Sequence, residues 1–138
     1  MFVKGEGFEG CADERAEKAA KAVIGAAIEV HRSLGPGFSE NVYQLAMEVE
    51  LAHRGIPFER QKSFALSHRG VLVGEGKLDL LVDQCLVVEL KSVDALIAVH
   101  NAQALAYLKA LDLELALLMN FNVRVMREGI KRVLNLSS

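Results

Sequence analysis

The aliphatic run L-D-L-L-V-D-Q-C-L-V-V-E-L-K-S, Leu78 to Ser92, carries Asp79, Glu89 and Lys91 among leucines and valines. Such runs form buried strands, where a charge is unstable unless it is paired or holds a cation. Side chains alternate along a strand, so Glu89 and Lys91 share a face. Asp79 lies on the preceding strand, and whether it joins them depends on register. A two-residue turn at Asp83-Gln84 would pair Val82 with Cys85 and send Asp79 and Glu89 to opposite faces. A connection of odd length centred on Gln84 would set Asp79 directly opposite Glu89. Two carboxylates so placed repel unless a cation lies between them or one keeps its proton. Hard carboxylate oxygens suit Mg²⁺ or Mn²⁺. A lysine two residues on could orient or deprotonate a water and stabilise a developing negative charge. An edge salt bridge between Glu89 and Lys91 accounts for the triplet as well, so the residue types alone leave both readings open.

Other polar residues fall at helical spacing. Gln103 and Tyr107 are four apart in an Ala/Leu-rich stretch, with His100 about one turn earlier. That face either lines a cleft or meets solvent. Glu40 and Tyr43 are neighbours on an earlier helix, off the apolar stripe assigned to it. Glu40 also suits the positive end of the helix dipole.

These side chains need elements to hold them. Residues 12–34 read as a helix, with Ala16, Ala20, Val23, Ile24, Ala27, Ile28 and His31 on one face. Gly35-Pro36-Gly37 ends it and suffices as punctuation. Ser39 is a candidate N-cap for a second helix, Glu40 to Arg54, with Val42, Leu45, Ala46 and Val49 as its apolar face. Gly55 fits the position after that helix, and Pro57 stops its resumption. Strands are expected at Phe58–Leu66, Val71–Val82 and Cys85–Lys91, with a hairpin turn at His68-Arg69-Gly70. A helix over Ala98–Leu111 and strands over Glu114–Asn120 and Ile130–Leu136 complete the chain. A helix between the third and fourth strands implies a crossover, hence an α/β fold with a mixed central sheet flanked by helices.

The length of 138 residues suits one domain, residues 1–138, with 1–11 as a loose tail. The net charge of −2 excludes a strong non-specific pull on nucleic acid, so any basic surface must be local. Residues 121–138 carry Arg124, Arg127, Lys131 and Arg132 against Glu128 alone. Solvated charges on an edge strand would explain that tail equally well. Two distant cysteines, Cys11 and Cys85, without an export signal point to reduced thiols and a cytoplasmic location. No apolar run approaches the ~20 residues of a membrane span, so no membrane association is expected. The four histidines form no zinc-ligand spacing with the cysteines.

Several of these segments together resemble a known pattern. Gly37-Phe38-Ser39-Glu40-Asn41-Val42-Tyr43 fits the G-x-x-E-x-x-Y signature of the family named after it. The resemblance continues through G-E-G-K-L-D-L-L-V, V-V-E-L-K-S-V, V-H-N-A-Q-A-L-A-Y-L-K-A-L, L-L-M-N-F-N-V and G-I-K-R-V-L. It spans roughly Ala22 to Leu136. That family looks like a branch of the PD-(D/E)xK nuclease superfamily. The resemblance implies a restriction-endonuclease-like αβββαβ core with an extra N-terminal helix and a Mg²⁺- or Mn²⁺-dependent phosphodiesterase site. It assigns Asp79, Glu89 and Glu40, with the Leu90 carbonyl, to the metal and Lys91 to the attacking water. Gln103 and Tyr107 match a helix motif that orients the lysine or contacts phosphate, with Tyr43 and His100 as supporting neighbours. Where the family carries G-Y-R-x-D, this chain has the shorter G-K-L-D, with Lys77 near the arginine's place. The expected partner is nucleic acid, DNA in preference to RNA, and a homodimer could supply a longer groove. The alternative is a nuclease-fold module with weak or no catalysis that binds nucleic acid or a partner protein.

Overall fold

The computed structural model describes residues 13–136. The expected tail and Cys11 lie outside the described residues. Helix α1 (Glu14–Leu34) starts at Asp13, whose side chain accepts the Ala16 amide, and ends at Gly35. Helix α2 (Glu40–His53) follows, then strands β1 (Phe58–His68), β2 (Val71–Val82) and β3 (Leu86–Lys91). Helix α3 (Ala98–Leu111) leads to β4 (Leu115–Asn120), a 3₁₀ turn at Met126–Gly129 and β5 (Ile130–Leu134). Among the described residues no helix is long and apolar enough to cross a membrane.

The five strands lie in the order β1-β2-β3-β4-β5. Only β3 and β4 run parallel, because α3 carries the chain back across the sheet between them. The other neighbours are antiparallel. The sheet is covered on both faces. One face packs Leu80, Val82, Leu86, Val88, Leu90, Leu117 and Met119 against α1 and α2. The other packs Leu78, Leu81, Val87, Ala116 and Leu118 against Ala104 and Leu108 of α3. A strand buried on both faces has no polar side to alternate with, which explains why β3 and β4 are aliphatic up to Glu89 and Asn120.

The expected helix faces need correction. Helix α2 buries Tyr43, Gln44, Met47 and Leu51, whereas Val42, Leu45 and Val49 are exposed. Tyr43 stacks on Phe121 with ring centroids 4.6 Å apart, and its hydroxyl donates to the Gly35 carbonyl. The stacking on Phe121, distant in sequence, selects this stripe over the other. Helix α1 buries Ala19, Ala26 and Val30 as well as most of the expected face, while Ile24 and Ile28 sit at its margin. Small side chains there let the helix lie close to the sheet.

The β1–β2 hairpin closes on Arg69-Gly70, both with positive φ (52° and 80°), so His68 pairs with Val71 inside the ladder. This hairpin runs well past the end of β3. Within it, Phe64 lies over Gly76, its cross-strand partner, and meets Tyr107 of α3 edge-on at 5.2 Å. A Cβ at Gly76 would stand 2.2 Å from the Phe64 ring, whereas one at Gly74 would meet nothing within 4 Å. Gly76→Ala should therefore cost about 1–3 kcal/mol by displacing Phe64, and Gly74→Ala less than about 0.5 kcal/mol. Urea melts of the two variants check this, and equal effects would contradict the packing.

Candidate active and metal site

The β2–β3 connection settles the register. Leu80 pairs with Val88, Leu81 with Val87 and Val82 with Leu86, leaving Asp83, Gln84 and Cys85 as an odd-length loop. Asp83 and Gln84 both take positive φ (50° and 59°) to make that turn. Arg15 grips the Asp83 carboxylate through Nε at 3.0 Å and Nη2 at 3.2 Å. In this register Asp79 stands opposite Glu89, at the point where the two strands cease to pair.

Side chains replace the ladder there. Glu89 Oε2 accepts the Asp79 amide at 2.7 Å, and Asp79 Oδ2 accepts the Leu90 amide at 2.8 Å. The Asp79 carbonyl accepts from Gln44 Nε2 of α2 at 3.1 Å. Gln44 Nε2 also donates to Glu48 Oε2 at 2.8 Å, and Arg60 Nε donates to Glu48 Oε1 at 2.9 Å. Asp79 is thus held by a relay that starts on β1 and crosses α2.

Strand β2 turns on itself at this residue. Strict alternation would put Leu78, Leu80 and Val82 on one face. Instead Leu80 and Val82 pack with α1 and α2, while Leu78 joins Leu81 on the α3 side. On β1 the pairing runs through Arg60–Leu80 and Lys62–Leu78 but skips Gln61, which takes φ 47° opposite Asp79. The local distortion lets Asp79 reach a cleft of about 210 Å³ lined by Glu40, Asn41, Gln44, Gln61, Asp79 and Leu90.

Electrostatics follow from burial. Glu89 is 4% exposed. Burial, then the Asp79 carboxylate, pushes its pKa up to about 8, against the pull of the Asp79 amide and Lys91. Burial also raises Asp79, opposed by the Leu90 amide, Lys91 and Gln61. Tyr107 is raised by burial and by the negative charge of Glu89 and Asp79, so its hydroxyl stays a donor.

The structure brings Asp79 and Glu89 together and puts Lys91 on the strand face of Glu89. Glu40 is exposed at the cleft rim, and among the described residues no group of three or more His, Cys, Asp or Glu side chains converges to hold a metal. Tyr107 lies within electrostatic reach of both carboxylates and is bonded by Gln103 from the preceding turn. The three expected supporting residues are placed as follows. Tyr43 is fully buried, so it cannot touch a substrate and acts as support. His100 Nδ1 accepts the Ile97 amide at 3.0 Å and closes the first turn of α3. Lys77 is exposed on β2, two residues before Asp79. Gln44 and Gln61 were not among the expected site residues. Gln61 carried no signal, and Gln44 was legible only as a polar residue one position beyond Tyr43.

Two facing carboxylates, with Leu90 lining the adjacent cleft, are oxygen donors of the kind a hard divalent cation takes, and burial of Glu89 with Asp79 opposite it keeps a proton on Glu89. Asp79, Glu89 and the Leu90 carbonyl are the groups that would hold such a cation.

Glu89 holds its proton up to about pH 8 when folded and loses it near 4.5 when unfolded. The folded chain therefore binds more protons across that window. This contribution to stability is fully present below about pH 4.5 and is lost as pH rises through about 8. The melting temperature of the metal-free chain should fall from pH 5 to pH 9, and Glu89→Gln should remove most of that slope. Identical slopes would contradict the assignment. Gln44→Glu keeps the shape but turns donors into acceptors facing Glu48 and the Asp79 carbonyl, and should cost about 2 kcal/mol. Gln44→Lys keeps a donor and should cost less, as read from denaturant midpoints.

The chain matches the sequence profile of the PD-(D/E)XK nuclease superfamily over residues 17–133. No curated relative and no solved structure matches it. The mixed sheet, the helices on both faces and the matched span agree, and the chain belongs to the PD-(D/E)XK nuclease superfamily.

Proposed function

We propose that this protein is a metal-dependent nuclease that hydrolyses phosphodiester bonds of nucleic acid, DNA in preference to RNA, in the cytoplasm. The observation that carries the reading is the facing pair Asp79 and Glu89 where β2 and β3 part, with Lys91 on the same strand face as Glu89. Asp79, Glu89 and the Leu90 carbonyl would hold Mg²⁺ or Mn²⁺, with Glu40 at the rim of the same cleft. When bound, such a cation would supply positive charge against the scissile phosphate and would acidify a nearby water. The Lys91 ammonium orients the attacking water and stabilises the negative charge that grows on the phosphoryl oxygens. Tyr107 donates through its protonated hydroxyl, and Gln103 fixes that hydroxyl's direction. Asn41 and Gln61 supply neutral polar contacts within the cleft.

Within the superfamily we assign the chain to the G-x-x-E-x-x-Y branch. Gly37 takes φ 106°, Tyr43 braces the turn before α2, and Glu40 lines the cleft, so each signature position has a physical task.

A second reading, a nuclease-fold module without catalysis, is favoured by one observation. Each carboxylate of the pair already accepts a backbone amide, and Glu40 stays at the rim. Calorimetry with Mn²⁺ separates the two. Binding at micromolar to low millimolar metal, lost in Glu89→Gln, favours the enzyme, and no binding favours the module. Incubation of single- and double-stranded DNA and RNA with Mn²⁺ should give cleavage. Asp79→Ala and Lys91→Ala should each lower the rate at least about 100-fold, the order expected when a transition-state contact is removed. Variants that cleave as fast as the parent protein would overturn the assigned site.

A further inference from the structure

The acidic cleft is a poor place to attract a polyanion. Glu40, Asp79 and Glu89 lie at or beside it, and Glu48 stands behind Gln44. With a net charge of −2, any hold on a phosphate backbone must come from a local basic surface.

Such a surface lies at the same end of the sheet. A concavity of about 290 Å³ gathers Arg32, Arg124 and Arg127 around Ile28, Val125 and Met126. Arg32 comes from the last turn of α1, and the other two from the segment after β4. His31 joins the two walls, its Nε2 lying 2.7 Å from the Val123 carbonyl. Strands β3 and β4 are parallel and finish together, with Lys91 beside Asn120. The Phe121 amide donates to the Lys91 carbonyl, so the arginine-bearing segment begins one strand away from Glu89 and Lys91. Neighbouring strands are ~4.8 Å apart.

The guanidinium groups are available. The Arg32 and Arg124 side chains are 71% and 84% exposed. Arg32 pairs with Glu29 at 3.0 Å and Arg124 with Glu128 at 3.8 Å, each within its own segment. Exposed pairs of this kind are weak and exchange readily for a phosphate. Arg127 has no ion-pair partner among the described residues. A guanidinium presents a planar fork of donors that fits two phosphate oxygens at once. The buried Met126 and the Val123–His31 contact fix the floor beneath these forks.

We propose that the cleft of Arg32, Arg124 and Arg127 is a second nucleic-acid contact that holds the phosphate backbone of the strand cut at Asp79 and Glu89. This rests on the nuclease reading for the position of the scissile bond, but not for the existence of the contact. It needs no base contact, so it grips sequence-independently and sets affinity rather than chemistry.

The experiment compares the full chain carrying Lys91→Ala, which blocks cleavage, with the same chain carrying Arg32→Ala, Arg124→Ala and Arg127→Ala as well. Fluorescence anisotropy follows binding of labelled single- and double-stranded oligonucleotides at several salt concentrations. The triple substitution should weaken binding at least about 10-fold and reduce the slope of log affinity against log salt by about 2–3, near one unit per phosphate contact. In the cleaving protein it should raise KM with kcat within about 3-fold, while calorimetric Mn²⁺ affinity stays the same. Unchanged affinity and salt slope would overturn the inference and leave the nuclease reading standing. If the chain binds no Mn²⁺ and cuts nothing, yet loses oligonucleotide binding with the arginines, the contact stands and the nuclease reading falls. A chain with no affinity for any oligonucleotide overturns both.

Discussion

One exchange of hydrogen bonds, made where the second and third strands part, governs the site. Glu89 takes the amide of Asp79, and Asp79 takes the amide of Leu90. Each carboxylate satisfies a backbone group that the ladder no longer reaches, so the sheet can open without orphaned amides. Among the described residues no buried side-chain polar atom lacks a partner. The exchange does not cancel charge, however. Two acidic groups remain close together in a poorly solvated place, and the more buried one keeps its proton. The surrounding fold must hold them there against repulsion. It does so with β3, buried from Leu86 to Leu90, and with the Arg60–Glu48–Gln44 relay, which pins the backbone of Asp79 from behind.

The turn between the two long helices serves the same end. Gly37 adopts φ 106°, a conformation L side chains rarely take. The Tyr43 hydroxyl donates to Gly35 and accepts the Phe38 amide, so one side chain ties both ends of the turn. The Ser92 hydroxyl, just past β3, donates to the Phe38 carbonyl. The turn is therefore fixed to the strand that carries Glu89 and Lys91. A glycine, a glutamate and a tyrosine at these spacings describe one mechanical arrangement: a bent entry, a carboxylate at the cleft rim and a buried brace.

Much of this was legible in the residues. The helix over Ala98–Leu111 and the strand over Val71–Val82 have the bounds that periodicity and turn residues predict. The parity argument is sharper still. Asp79 and Glu89 are ten apart, so only an odd connection puts them opposite each other, and the loop Asp83–Cys85 is odd. The face of α2 was not legible. Val42, Leu45 and Val49 make one apolar stripe and Tyr43, Met47 and Leu51 another, and hydropathy favours the wrong one. The choice is made by Phe121, distant in sequence, on which Tyr43 stacks. Gln44 was hidden for the same reason, since a polar residue beside a misassigned stripe reads as solvated. Gln61 was hidden because its importance lies in a backbone turn that no side-chain pattern encodes. Alternation also cannot foresee that β2 changes its facing at Asp79, because that change is the distortion itself.

The charge logic of the site links its stability to its proposed chemistry. In the proposed chemistry a divalent cation held by Glu89 and Asp79 would relieve the same repulsion as the Glu89 proton, so the two would compete. Near neutral pH the proton is held only modestly, since its pKa is about 8. A cation that displaced it would meet only a small proton penalty, at two carboxylates that backbone amides hold facing each other. A fully ionised pair would bind metal more strongly but would strain the opened sheet whenever metal was absent. Burial of Glu89, by keeping its proton, lets the facing pair stay assembled without a cation, and the odd loop at Gln84 makes that arrangement geometrically available.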